Sequence, residues 1–525
     1  MKILGIGGIG GDAAAVALND GVVTAAIEES KLVRGQNHGG LPMEAIGACL
    51  RLSRLKAEQI DSVALVRPGA AAGIHLALRN HFPQSRIALV EHHTAHAASA
   101  FFASPFSDAT VVTLDRAGDL RCGARWRGEG RHLTLESEFF YPDSLGDLYG
   151  RVTELLGFRS QADEHKVQWM GAAGDGQFVD LFREVIGAST SGLRFDRGFF
   201  DAGRLSHGGF SANFYRRLGL KDLQAVPDEL KPHVAAGAQR AIEQVVIEFA
   251  TAGSHTAKNV CLAGGLGMNA LLVAALENSG KFEGVFVQPA AGNSGSALGA
   301  VLYTWHEMLG RNERAVIENY CLGPSYTAEE IKQVVENCKL RFRYLLTGDE
   351  LIDAAVERLS ENRIVAWMQG RMEFGPRALG NRSILASPLD PYSTENLNTF
   401  IKHREGFRKF AASVPAEVAG EYFETGPNAR FLATVGNVRR AHRETFAGAL
   451  LSGDLIRVHV VSREDNPLYW KLLNHAGQKT GLPVLYNTSF NLFGEPLVCT
   501  PRDAVRSFYS SGIDAMFCGH FLLQK

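Results

Sequence analysis

The chain runs to 525 residues, 46% hydrophobic and 21% charged, about three to four times an ordinary domain of roughly 100–200 residues, which excludes a single small module. Fifty-four Lys and Arg against 56 Asp and Glu leave a formal net charge of -2, so no bulk electrostatic pull toward nucleic acid or anionic lipid is expected. No apolar run reaches the ~18–20 residues of a membrane span, and the composition is that of a soluble globular protein with no nucleic-acid and no membrane partner.

Apolar runs at Ile3–Gly7, Ala13–Asn19 and Val22–Glu28 are separated by a glycine-rich turn, Gly8–Asp12, and the hairpin dipeptide Asp20-Gly21. They predict an opening β-meander. A helical period follows over Met43–Leu52, then strands at Ser62–Val66 and Ile87–Val90, the last running straight into Glu91-His92-His93-Thr94-Ala95-His96. The runs Thr110–Leu114 and Asn259–Leu262 end in Asp115-Arg116-Ala117-Gly118-Asp119 and in Ala263-Gly264-Gly265. Between these two lies a largely helical insert with periodic apolar residues over Ala235–Ala250. Alternating strands and helices predict an α/β fold, and strands that end in acid or glycine are where open α/β sheets place ligands. Three such loops, two acidic and then one Gly-Gly, resemble the actin-like ATPase architecture. The texture changes after Ile317, which predicts a boundary between roughly 320 and 345, placed at 330/331. The seven cysteines are scattered without a CxxC pair, and glycines interrupt the N-terminus before a signal peptide can form. Both features predict a cytoplasmic protein.

His92 and His96 are four residues apart, so a helix beginning just after Glu91 would project both imidazoles from one face toward one metal ion. A hydrogen-bonded histidine pair near a helix start is the alternative. Asp115 closes the next strand as a third, harder ligand should, and a His/His/carboxylate set suits Fe(II), Zn or Mn. Gly264, Gly265 and Asn269 lie between a strand and the helical run Ala270–Leu276, where backbone can approach a nucleotide and the Asn amide can reach sugar or base; a close-packed turn would read the same way. Gln288-Pro289-Ala290-Ala291-Gly292-Asn293-Ser294-Gly295 is a second glycine loop before a helix. The densest signal is Gly370–Ser383, in which Arg371, Arg377 and Arg382 sit among glycines, followed by Lys402, Arg404 and Arg408. Guanidinium forks between flexible joints suit bidentate recognition of phosphate. A solvated basic surface is the ordinary reading of such runs, but the interleaved glycines favour a polyphosphate site. Asn487–Asn491, after the strand-like Pro483–Tyr486, is a polar loop that capping and turn formation explain.

The blocks HHTAHAASAFFASPF (His92–Phe106), CLAGGLGMNALL (Cys261–Leu272), QPAAGNSGSALGA (Gln288–Ala300), GRMEFGPRALGNRSILASP (Gly370–Pro388) and Gly481–Ala504 closely resemble, in their order, the ATP-dependent O-carbamoyltransferases of the NodU, CmcH and TobZ kind. The resemblance spans nearly the whole chain. It implies an actin-like ATPase (ASKHA) N-terminal domain akin to the tRNA threonylcarbamoyladenosine transferases, residues 1–330, and a YrdC-like α/β C-terminal domain, residues 331–525. The YrdC-like site would turn carbamoyl phosphate and ATP into carbamoyl-adenylate, and the N-terminal site would pass the carbamoyl group to a hydroxyl of a natural-product acceptor. By the same resemblance Arg371, Arg377, Arg382, Lys402, Arg404 and Arg408 would hold phosphates, with Ser413 contributing. His92, His96 and Asp115 would bind Fe2+ or another divalent ion, Gly264, Gly265, Asn269, Gly292 and Asn293 would surround the adenylate, and Mg2+ would accompany ATP. The implied partner is a small-molecule acceptor, and a homodimer is among the expectations.

Four stretches depart from the family pattern, two of them in the C-terminal part: Phe407–Ser413 stands where FRPFAPS is usual, with Lys409 adding charge to the expected phosphate site, and Gly453–Val458 where a DGTARV-like stretch is usual. Gly11-Asp12 stands where a His-Asp pair is usual, so Asp12 would act alone on the acceptor side. Asn293 stands where an Asp is usual, which replaces an anionic ligand by a neutral amide and lowers the expected metal affinity. Transfer to an amine, another acyl donor, or nucleotide binding without transfer are the alternatives these departures suggest. Loops at 35–41 and 195–210 are the expected acceptor pocket.

Overall fold

The computed structural model describes residues 1–525 except 36–38, 68–71, 190–191, 205, 254–256 and 318. Three of the residues expected to line the acceptor pocket, 36–38, and one more, 205, thus lie outside the described residues.

The front half holds two five-stranded sheets of one design. In the first, Lys2–Gly7, Ala14–Asn19 and Val22–Glu28 form an antiparallel meander, and Ser62–Val66 and then Arg86–Val90 add in parallel on the free side of the opening strand. In the second, Asp108–Gly118, Arg121–Glu129 and His132–Phe140 are the meander, and Asn259–Ala263 and Gly284–Val287 are the parallel additions. Numbered within each sheet, both orders are 3-2-1-4-5, and this duplication is the actin-like ATPase arrangement the resemblance implies. Opening strands of both sheets read as near-continuous apolar runs because each is covered on both faces. The helix Met43–Leu52 and the strand Ser62–Val66 fall where the periodicity put them. The strand expected to stop at Leu114 instead extends to Gly118, where it still pairs with Arg121.

Two helices, His92–Phe101 and Gly295–Tyr303, cross between the sheets inside one alanine-rich core that includes Ala95, Ala97, Ala98, Ala297 and Ala300. Their approach requires Gly299, where a Cβ would collide with the Ala95 carbonyl. The helical insert, including Leu145–Leu155, Glu164–Gly171, Val179–Ile186 and Lys231–Thr251, packs a separate aromatic and aliphatic cluster against the second sheet.

The back half is built on one mixed ten-stranded sheet. Alternation along Val365–Met368 decides its layers: Val365 and Trp367 point to the cluster under Gly348–Ser360 and Pro467–Thr480, while Ala366 and Met368 point to the cluster under Ala328–Asn337 and Pro501–Tyr509. The back half is thus α/β, with helices on both faces of its sheet. No cysteine is paired, and among the described residues no helix is long and apolar enough to cross a membrane.

The halves are locked by the loop after Met368. Lys31 and Glu28 form a buried pair at 2.9 Å; the Lys31 ammonium donates to the carbonyls of Glu373 (2.9 Å) and Gly375 (2.8 Å), and the Gly375 N–H donates to Glu28 at 2.8 Å. Within the loop, the buried Glu373 carboxylate accepts from the N–H groups of Leu379, Asn381 and Arg382 at 2.7–3.0 Å.

Candidate active site between the two halves

Glu91 ends the strand Arg86–Val90 and caps the following helix: its carboxylate accepts from the Thr94 N–H at 2.8 Å and the Thr94 hydroxyl at 2.9 Å. Arg121 holds that carboxylate from the other side at 2.9 Å. The helix therefore begins at His92, and His92 and His96 share a face. His92 Nε2 lies 2.9 Å from Asp115 Oδ2 and 3.1 Å from His96 Nε2, and His96 Nε2 lies 3.3 Å from the same oxygen. Neighbouring ligands of one ion with bonds of about 2.1 Å stand roughly 3.0–3.4 Å apart, so the three donor atoms fit a divalent ion in spacing and in kind. Among the described residues this is the one group of three His, Cys, Asp or Glu donors that could hold an ion. Burial pushes His96 toward its neutral, ligating form, only partly offset by Asp115. Burial also opposes charge on Asp115, yet hydrogen bonds from both imidazoles hold its carboxyl well below the usual carboxylate range. For His92 the Asp115 contact outweighs burial and raises the pKa. His93 is a core residue, bonded to Thr113 and to the Arg121 carbonyl, each at 2.9 Å.

Gly118 shapes this cluster although nothing in the sequence singled it out: a Cβ there would overlap the His92 ring. Asp12 sits in a left-handed turn with φ 63°, and burial, then Glu28 and Asp115, raise its carboxyl pKa.

The Gly-Gly loop runs from the metal-type cluster to the back half. Gly264 has φ 90° and lies so close to the strand that a side chain would strike the Leu114 carbonyl; at Gly265 a Cβ would stand 3.1 Å from Asp115 Oδ1. The Gly264 N–H donates to the Ala291 carbonyl at 2.9 Å, which sets the loop beside Gly292 and Asn293. The Asn269 amide has a different task from the expected contact with nucleotide. Its oxygen caps the helix Ala270–Asn278 through Leu271 and Leu272 and accepts from Gln168 and Gln239, while its nitrogen donates to Gln239 at 2.9 Å. What this loop offers a ligand is backbone and close approach.

At the loop's far end the Met268 carbonyl accepts from Arg377 at 3.2 Å. Arg377 stands in a cluster with Arg404, Arg408 and Arg457, whose charges act on one another. Burial, then the other three guanidiniums, hold Arg457 well below the usual arginine range; burial pushes Arg377 down to about 10, and burial with the Arg408 charge pushes Arg404 down to about 9. Glu405 lies 3.8 Å from Arg408 and is itself drawn off by Lys166 at 2.9 Å. Such crowding of half-buried cations is costly without an anion. The insert closes over them: the Trp169 ring lies 5.1 Å from the Arg457 guanidinium.

Arg457 was not expected among the phosphate ligands; the sequence marks its stretch only as a departure from the family pattern. It stands alone in Gly453–Val458, and only the pairing of its strand with Ala411–Pro415 brings it to the other arginines. Three expected phosphate ligands have other partners. Arg371 holds the carbonyls of Thr24, Leu322 and Gly323, and the fully buried Arg382 holds those of Gln369, Asn381 and Pro324. Their guanidiniums shape the loop, because buried carbonyls need donors. The Lys402 ammonium is taken by the carbonyls of Ser489 and Asn491 and the Asn491 side chain, and burial, then Arg404 and Arg408, keep its pKa well below the ordinary lysine range. Ser413 is buried and bonded to His459 at 3.0 Å, so its hydroxyl supports the sheet next to the cluster.

Residues 70–302 match the family Carbamoyltransferase N-terminus and residues 356–525 the family Carbamoyltransferase C-terminus. An uncharacterized protein of Synechocystis is 32% identical over 100% of this chain and 96% of its own length. The nodulation protein NolNO of Sinorhizobium fredii is 32% identical over 98% of this chain and 79% of its own, and the nodulation protein NolO of Bradyrhizobium diazoefficiens is 32% identical over 83% and 79%. Among solved structures, component A of the (R)-2-hydroxyglutaryl-CoA dehydratase of Acidaminococcus fermentans covers 58% of this chain and 97% of its own at 17% identity, with a TM-score of 0.39.

Proposed function

Because the chain belongs to the carbamoyltransferase family, we propose that it forms carbamoyl-adenylate from carbamoyl phosphate and ATP and transfers the carbamoyl group to a hydroxyl of a small natural-product acceptor. The observation that carries this reading is the cluster of Arg377, Arg404, Arg408 and Arg457, half-buried cations beside the front half of which only Arg408 has a carboxylate, Glu405, within 4 Å. A polyphosphate is the counter-charge such a cluster is suited to, and guanidiniums fixed before the ligand arrives stabilise charge on phosphoryl oxygens without reorganisation.

In the first reaction water cleaves carbamoyl phosphate to carbamate and inorganic phosphate, and a carbamate oxygen then attacks the α-phosphorus of ATP as pyrophosphate leaves, its charge taken up by the four guanidiniums. Arg377 bridges to Met268 and so holds the adenylate against the glycine loops. In the second reaction the acceptor oxygen attacks the carbamoyl carbon, AMP leaves, and the acceptor proton passes to Asp12, whose raised carboxyl pKa makes it the better base. His92, His96 and Asp115 would hold a divalent ion, which supplies Lewis-acid polarisation of the adenylate phosphate. This assigns adenylation to residues 331–525 and transfer to residues 1–330.

The purified protein is expected to release pyrophosphate from ATP only when carbamoyl phosphate is present, and Arg377→Ala is expected to abolish that release. Pyrophosphate release indifferent to carbamoyl phosphate would remove the reading.

A further inference from the structure

The helix Glu164–Gly171 carries His165, a half-buried residue that neither the metal-type cluster nor the arginines account for. Its Nε2 is shielded from water and has no hydrogen-bond partner. Trp169 stands one turn further along the same helix face, with its ring 5.1 Å from the Arg457 guanidinium. Lys166, next to His165, pairs with Glu405 of the back half at 2.9 Å and with Asp163 at 3.2 Å. The face that bears His165 is therefore turned onto the arginine cluster. Burial, then the charge of Arg408, followed by Arg377 and Lys166 and opposed by Asp163, pushes its pKa down to about 4, so the ring is neutral at pH 7. Guanidinium and ammonium groups only donate hydrogen bonds, so these cations offer the imidazole N–H no acceptor. An anion seated among them would.

We propose that His165, contributed by the front half, is a ligand-contacting residue of the arginine site, its Nε2 bonding a phosphoryl oxygen of the bound nucleotide and the ring taking up a proton from solvent as that anion arrives. The proposal rests on the reading of the cluster as a nucleotide-polyphosphate site. Its sign follows from the charges: the cations that keep the ring neutral are offset by the phosphates, so proton affinity rises on binding.

Calorimetric titration of the full chain with MgATP, in two buffers of different ionisation enthalpy, tests this in the wild type, His165→Gln and Arg377→Ala. The wild type is expected to bind with proton uptake, His165→Gln roughly 10-fold more weakly with less uptake, and Arg377→Ala not to bind measurably. Equal affinity and equal proton uptake in wild type and His165→Gln overturns the proposal while leaving the arginine-site reading intact. A wild type that does not bind MgATP overturns that reading and the proposal with it. Nitrogen-15 spectra of histidine-labelled wild type provide a readout free of any substitution: one imidazole is expected to pass from the neutral to the protonated pattern on addition of MgATP, and unchanged spectra in saturated protein overturn the proposal.

Discussion

Replacing Arg404 by methionine is expected to stabilise the ligand-free protein and to silence its response to nucleotide. Burial first, and the Arg408 charge second, push the Arg404 pKa from 12.5 to about 9. That difference of about 3.5 units, at ~1.4 kcal/mol each, is a cost of about 5 kcal/mol for keeping the charge in the folded chain at pH 7. Against it stand the hydrogen bond from Arg404 Nε to Asn398 Oδ1 at 2.8 Å and the stacking on Phe410 at 4.6 Å, together worth about 3 kcal/mol. The Nη2 group adds nothing, since it is buried without a partner. Methionine keeps much of the side-chain volume and drops the charge, so the net gain is about 2 kcal/mol, a rise in midpoint of roughly 4–8 °C for a domain of 150–250 residues. Thermal unfolding at pH 7 with and without MgATP reads both effects: the wild-type midpoint climbs with nucleotide, whereas Arg404→Met starts higher and stays there. An Arg404→Met protein that melts below the wild type and still climbs with MgATP would refute the reasoning, because the guanidinium would then be a structural donor in a site of another kind.

Asp115→Asn and His96→Ala are each expected to cut divalent metal retained after dialysis by at least about 10-fold, measured by elemental analysis, with the far-ultraviolet circular dichroism unchanged. Burial, partly offset by the hydrogen bond from Gln239, pushes the Glu243 carboxyl from 4.5 up to about 7. The folded state therefore binds the proton more tightly than the unfolded state between those values, so stability falls as pH rises from about 4.5 to about 7, by about 3 kcal/mol in full. Glu243→Gln should remove that loss, stabilising the protein at pH 8 and leaving it unchanged at pH 4, as read by urea unfolding at the two values. Lys31→Met strands the buried Glu28 carboxylate and should cost about 3–5 kcal/mol, most of it regained in Glu28→Gln/Lys31→Met; thermal melts of the three variants give the comparison.

The sequence carried the elements whose signals are local. The four-residue step from His92 to His96 reads as a shared helix face once a helix starts after Glu91, although the cap that Glu91 makes with Thr94 shows only in the structure. Asp115 was legible as the acid at the end of an apolar strand. Arg457 was not, because its place depends on which strand lies beside Leu455–Val461, a long-range pairing that one strand's residues do not encode. Asn269, Arg371, Arg382 and Lys402 illustrate the converse: an amide, guanidinium or ammonium near glycines reads as a ligand contact, yet here each satisfies buried backbone or neighbouring amides. Residue type tells what a side chain can bond, and burial decides what it must bond first. Gly118 left no signal at all, since the need for a missing Cβ arises only from where the His92 ring lands.

The seam at Lys31, Glu28 and Arg371 bears on how such a chain can be divided. The loop bearing Arg377 takes its form from carbonyls and carboxylates encoded more than three hundred positions earlier. Cutting the gene at 330/331 would produce a C-terminal fragment lacking the mould for the loop that bears Arg377, so the proposed nucleotide site would require that the two pieces reassociate tightly.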